Sequence, residues 1–209
     1  MRHAMKIFAI SVRDWWDEMF VLAGAGLVAF FLVLTVIGAP PVLAGLSYLT
    51  HVLLRDKRVE FGDFWVGLRR YFWASWKLLG LGLLVAIVLS TNVAFCLSPQ
   101  RDGLLLRLMG WINVYALAIW LGGQIYVLPL LMRMEDRRTF LILRNALLLC
   151  LGYPLFTFTL LILLTLTLAI GIAIPLLLPL VYLPVGALAS YHALSAALED
   201  VERKRQKAS

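Results

Sequence analysis

The chain has 209 residues, of which 62% are hydrophobic and 15% charged, with a formal net charge of +7. Soluble domains run near 45–50% apolar and about 25% charged, so this composition excludes both a soluble domain and a disordered chain. A cation excess suggests nucleic acid in a soluble protein, but here the basic residues flank apolar segments. There they set topology and meet anionic lipid, and no nucleic-acid partner is expected.

Residues 19–54, 78–100, 108–132 and 145–198 contain no Asp, Glu, Lys or Arg. Apolar character continuing to the last of these argues against a secreted protein with a single signal peptide. Ahead of the first stretch, Met5, Phe8, Val12, Trp15, Trp16 and Met19 recur at steps of three and four. That period predicts an amphipathic helix over residues 1–19, lying in the cytoplasmic interface.

A spanning helix needs about 20 apolar residues. The first stretch holds two short spans, 20–37 and 40–55, broken at Gly38, Pro40 and Pro41 because proline halts one helix and opens the next. The loop that follows carries seven aromatics between Phe61 and Trp76. Asp63 is the expected N-cap of a helix over 63–76, with Phe64, Leu68 and Phe72 on one face. Phe64, Trp65, Arg69, Arg70 and Trp73 are the candidate contacts to a partner or to lipid headgroups.

Further spans are expected at 78–97, 107–132, 146–168 and 172–198, followed by a basic cytoplasmic tail over 199–209. Asn145 is the expected cap of the fifth, with Pro154 inside it. The whole reads as one all-α integral membrane domain, a polytopic helical bundle of six spans with five as the alternative. Seventeen of the nineteen basic residues then fall on one side, leaving only Arg101 and Arg107 opposite. The positive-inside rule places both termini in the cytoplasm of the bacterial inner membrane.

No charged residue lies deep in any span, which argues against ion-coupled transport. There is no HExxH, and His3, His51 and His192 have no ligand spacing. Cys96 and Cys150 form no CxxC pair. Ser190 and His192 are two residues apart, so on a helix they face apart. No catalytic residue, metal or cofactor is therefore expected.

Neutral polar residues remain. Asn113, Trp120 and Gln124 share one face of the fourth span, and Asn92 lies in the third. Two readings stay open for this seam: interhelical hydrogen bonding, or the lining of a small cavity. Small residues repeat every four positions at Gly82, Ala86, Ser90 and Ala94, and again at Ala189, Ala193 and Ala197, a spacing that favours close helix approach and is compatible with a homo-oligomer.

Residues 41–48 (PVLAGLSY) match residues 184–191 (PVGALASY) at five of eight positions, a parallel internal repeat. Each proline also lacks an N–H for the carbonyl four residues earlier, which inside a bilayer must find another donor. Tyr48, His51 and Asn145 are the expected donors.

Three segments carry a family resemblance: GAPPVLAGLSY at 38–48, DFWVGLRRYF at 63–72, and RNAL at 144–147 leading to Pro154. With them the chain resembles the YesL-like family of small bacterial multi-pass membrane proteins. The doubled proline departs slightly from the usual Gly-Pro break of that family. The resemblance implies a non-catalytic accessory or regulatory partner of a carbohydrate uptake system, notably an ABC importer for oligosaccharides. The chain itself has neither the cytoplasmic coupling loop of such permeases nor a GxxxxGK[ST] phosphate loop. The alternative function is a small uncoupled transporter, or a lipid- or small-molecule-binding protein, using the seam of the third and fourth spans.

Overall fold

The protein is described by a computed structural model covering all but residues 1, 36, 57–58, 99–102, 135–137, 175 and 209; the side chains of 2, 3, 34, 56, 204, 205, 207 and 208 are also outside the description. In chain order come α1 (Arg2–Asp17), α2 (Met19–Leu34), α3 (Ala39–Asp56), α4 (Phe61–Arg70) and α5 (Phe72–Cys96). They are followed by α6 (Leu104–Arg133), α7 (Thr139–Gly152), α8 (Pro154–Ala173), a π-helical turn Leu178–Tyr182 and α9 (Leu183–Ala208). No strand occurs among the described residues.

Among the described residues, four helical stretches are long and apolar enough to cross a membrane: α5, α6, α8, and the π-turn continued into α9 as far as Arg203. A fifth is reached if α1 and α2 count as one span, though they meet at a 97° bend. The stretch expected as the second span, α3, is not among them. It has the length, but Tyr48, Thr50, His51 and Arg55 lower its apolarity. The fifth span is also redrawn. It begins at Pro154, and residues 139–152 form a separate short helix ahead of it.

Burial explains the part α3 plays. Val42, Ala44, Leu46, Leu49 and Thr50 are fully or almost fully buried, on several sides of the helix. α3 packs against α2, α4, α5, α6 and α9. Two apolar clusters meet along it. One gathers Tyr126, Leu131, Ile142, Leu160 and Leu194 from α6, α7, α8 and α9, together with Ala44. The other gathers Leu22, Ala25, Leu46, Leu49 and Phe64 from α2, α3 and α4, together with Leu188. A helix buried on several faces has no need of the uniform apolarity that lipid demands.

Between α2 and α3, which form a hairpin, the Gly38 N–H donates to the Thr35 carbonyl at 2.7 Å. The Trp76 indole donates to the neighbouring Ile37 carbonyl at 3.1 Å. Trp76 is only the fifth residue of α5, so the tip of the hairpin lies beside the beginning of that helix. The far end, at Cys96, is twenty residues on, about 30 Å along the axis.

Candidate functional site

The aromatic loop folds as α4, one residue short of α5. Its cap is Glu60 rather than Asp63. The Glu60 side chain accepts from the backbone of Asp63, and the Asp63 carboxylate accepts the Glu60 N–H at 3.0 Å. This reciprocal capping box ties two orphan donors at the helix start, with Asp63 at its third position. The expected single helix over 63–76 is corrected as well: α4 ends at Arg70, Tyr71 departs from helical geometry, and α5 starts at Phe72.

α4 is held against α3 by a close approach. A Cβ on Gly67 would lie 2.5 Å from the Tyr48 Cβ, so only glycine lets the two backbones meet there. Phe64 is fully buried over Gly45, and its role is in the core rather than at a contact surface. The other candidates face outward: Trp65 is 39% and Trp73 75% exposed, and Arg69 and Arg70 are exposed too. The Arg70 guanidinium lies 5.7 Å from the Tyr71 ring centre. Trp65 and Arg69 are one helical turn apart, so they share a face.

Of the polar seam, two residues come together. Trp120 donates its indole N–H to the Gly82 carbonyl at 2.9 Å, joining α6 to α5. Gln124 sits against the same Gly82, and among the described residues its amide makes a long 3.5 Å contact to the Trp120 carbonyl. Asn113 does not join them, because its amide donates to Met109 on its own helix at 2.8 Å. Asn92 is exposed on α5 and is not part of a buried seam.

Gln124 instead borders a cavity of about 170 Å³ between α3, α6, α8 and α9. Ser47 and Ser190 line it from opposite helices. They occupy matching positions in the 41–48 and 184–191 repeat, which marks the pair in the sequence.

The repeat reappears in how the proline carbonyls are satisfied. Pro41 has no N–H for Ile37, and Trp76 donates to that carbonyl. Pro184 has none for Leu180, and the Trp15 indole donates there at 2.9 Å. The expected donors are engaged elsewhere. Tyr48 packs against Tyr71, with ring centres 5.9 Å apart. His51 Nδ1 and the Tyr191 hydroxyl share a 2.6 Å hydrogen bond. Asn145 lies inside α7, where its amide points at the Met134 sulfur 3.7 Å away, so it caps no span. The residue preceding α8 is Tyr153, and Pro154 occupies the first helical position, where a missing N–H has no cost.

Tyr191 also lies under Arg133, whose guanidinium is 5.8 Å from its ring centre. Ser190 and His192 face apart: the serine hydroxyl donates to Gly186 on its own helix, and His192 Nε2 meets the Asp14 carboxylate of α1 at 2.9 Å. Among the described residues no three His, Cys, Asp or Glu side chains converge as metal ligands.

These features define the class: an all-helical protein with helices fit to cross a membrane several times. No family model, curated protein or solved structure matches the chain.

Proposed function

We propose that the chain is a non-catalytic multi-pass protein of a bacterial inner membrane that engages a protein partner through the outward face of α4 and the start of α5. The observation carrying this reading is the division of labour among the aromatics. Phe64 anchors α4 in the core, while Trp65 and Trp73 stay exposed beside Arg69 and Arg70. Exposed Trp and Arg are the residue types that dominate interface energetics. The resemblance to the YesL-like family supplies the partner to test first, an ABC importer for oligosaccharides, with this chain as its accessory or regulator.

In this proposal four segments cross the bilayer: α5, α6, α8, and the π-turn with α9. α1 lies in the interface, and the α2–α3 hairpin enters from the cytoplasmic side without crossing. Both termini are cytoplasmic. The basic asymmetry supports this arrangement as well as six crossings, because the hairpin tip carries no charge and only the parity of crossings is fixed. The Trp76–Ile37 contact favours four.

The test is co-purification of the full chain with importer subunits in mild detergent. The paired substitutions Trp65→Ala with Trp73→Ala, and Arg69→Glu with Arg70→Glu, are expected to lower partner recovery at least tenfold while leaving the melting temperature unchanged. Recovery equal to that of the unaltered chain for both pairs overturns the docking role. The cavity beside Gln124 favours a second reading, a small-molecule-binding or uncoupled transport protein. That reading expects loss of ligand retention in Gln124→Leu, with partner recovery unaffected.

A further inference from the structure

The cavity between α3, α6, α8 and α9 is bordered by two polar groups that no described side chain satisfies. The first is the Ser47 hydroxyl. The hydroxyls of Ser11, Thr50 and Ser190 each donate to the carbonyl four residues back in their own helix. Ser47 is only 5% exposed and lines the cavity, yet among the described residues its hydroxyl has no hydrogen-bond partner. The second is the Ile125 carbonyl. Pro129 lies inside α6 and lacks the N–H that an α-helix would give that carbonyl. Trp15 and Trp76 answer the same need at Leu180 and Ile37. At Ile125, among the described residues, no side chain does, and Ile125 and Pro129 both border the cavity.

The rest of the lining sets the character of an occupant. No lining residue carries a charge at neutral pH, and an unpaired charge buried there is costly. Gln124 and Ser190 add an amide and a second hydroxyl, while Leu43, Leu128 and Leu164 supply apolar wall. The volume of about 170 Å³ equals the share of about six water molecules in the liquid. That is below the range of drug-sized sites. A molecule bearing both C–H and O–H groups matches the two kinds of wall.

Building on the second functional reading above, in which this cavity holds a small molecule, we infer that its ligand is an uncharged polyol of about the size of glycerol. One ligand hydroxyl donates to the Ile125 carbonyl and accepts from the Ser47 hydroxyl. A hydroxyl suits that pair because it both donates and accepts. A second ligand hydroxyl accepts from the Gln124 amide. The C–H groups lie against Leu43, Leu128 and Leu164. A monohydric alcohol has no second hydroxyl for Gln124, and urea has no C–H face for the leucines. A phosphate ester brings a charge that no lining residue neutralises.

The experiment is saturation-transfer difference NMR on the full chain, in a detergent without a sugar headgroup. The probes are glycerol, urea, propanol and glycerol phosphate, and thermal melting is read in parallel. Glycerol is expected to bind saturably and at least fivefold more tightly than the other three. Ser47→Ala and Pro129→Ala are each expected to weaken glycerol binding at least threefold. Pro129→Ala restores an N–H for Ile125, so its melting temperature is expected to hold or rise while binding falls. A Cβ on Gly186 would meet nothing within 4 Å, so Gly186→Leu projects into open space and is expected to lower glycerol binding at least tenfold without unfolding the chain. Glycerol binding that survives in Gly186→Leu, or that is unchanged in both Ser47→Ala and Pro129→Ala, overturns the inference. Tighter binding of urea, propanol or glycerol phosphate, lost in Gly186→Leu, overturns the polyol class and leaves the small-molecule reading standing. Binding of none of the four overturns both. None of these substitutions touches the α4 face, so the docking role is tested separately.

Discussion

Trp15 and Trp76 do similar work at two distant points. Each gives its indole N–H to a carbonyl that stands four residues before a proline. Removing the donor leaves a carbonyl without its partner in a largely apolar environment. Trp15→Phe and Trp76→Phe are each expected to destabilise the protein by about 1–2 kcal/mol, read as a lowered melting temperature in detergent. Trp16, 67% exposed, provides the control, and Trp16→Phe is expected to change stability by less than about 0.5 kcal/mol. Equal effects at all three positions contradict this account. Gly67 acts through space alone: a valine there collides with Tyr48, at an expected cost of about 1–3 kcal/mol from overpacking. That cost is also seen as lowered stability.

At the scale of elements, α4 and α7 are both short and depend on their ends and neighbours. α4 has ten residues, below the length at which an isolated helix persists. Its capping box and its docking on α3 supply what propensity cannot. Glu60→Ala is expected to lower stability by about 1 kcal/mol, and to raise hydrogen exchange in residues 61–70 ahead of the rest. Exchange that rises uniformly across the chain contradicts a local role for the cap. Asn145 makes the opposite case. Because its hydrogen-bond contact among the described residues is with a methionine sulfur, Asn145→Ala is expected to stay within about 0.5 kcal/mol of the unaltered protein. A capping role at that position required more.

For the whole molecule the question is how many times the chain crosses. Cysteine labelling from outside with a membrane-impermeant maleimide decides it, in a background with Cys96 and Cys150 replaced. Gly103→Cys, ahead of α6, is expected to react, and Ile37→Cys at the hairpin tip is expected not to. Reaction at both positions restores six crossings. The hairpin also explains why α3 tolerates His51 and Arg55. α9, α4 and α6 surround it, and His51 is paired with Tyr191.

The sequence by itself determined the helical class and the apolar stretches, and it set the expectations of a helix in the aromatic–basic segment and of an even number of crossings. Each of these is local or additive: hydropathy is summed over a window, the helical period is read within one segment, and basic residues are counted side by side. It also marked the proline breaks and the need for substitute donors. Tertiary structure alone decided which donors answered that need, since Trp15 and Leu180 are 165 residues apart and no local pattern relates them. It likewise decided that Gln124 and Trp120 meet Gly82 while Asn92 and Asn113 do not, because the rotation of α5 about its axis is set by packing against α6. The cap of α4 fell to Glu60 for the same kind of reason: the point at which a chain leaving α3 turns into its next helix is fixed by the contact of Gly67 with Tyr48, and a list of good capping residues does not contain that contact.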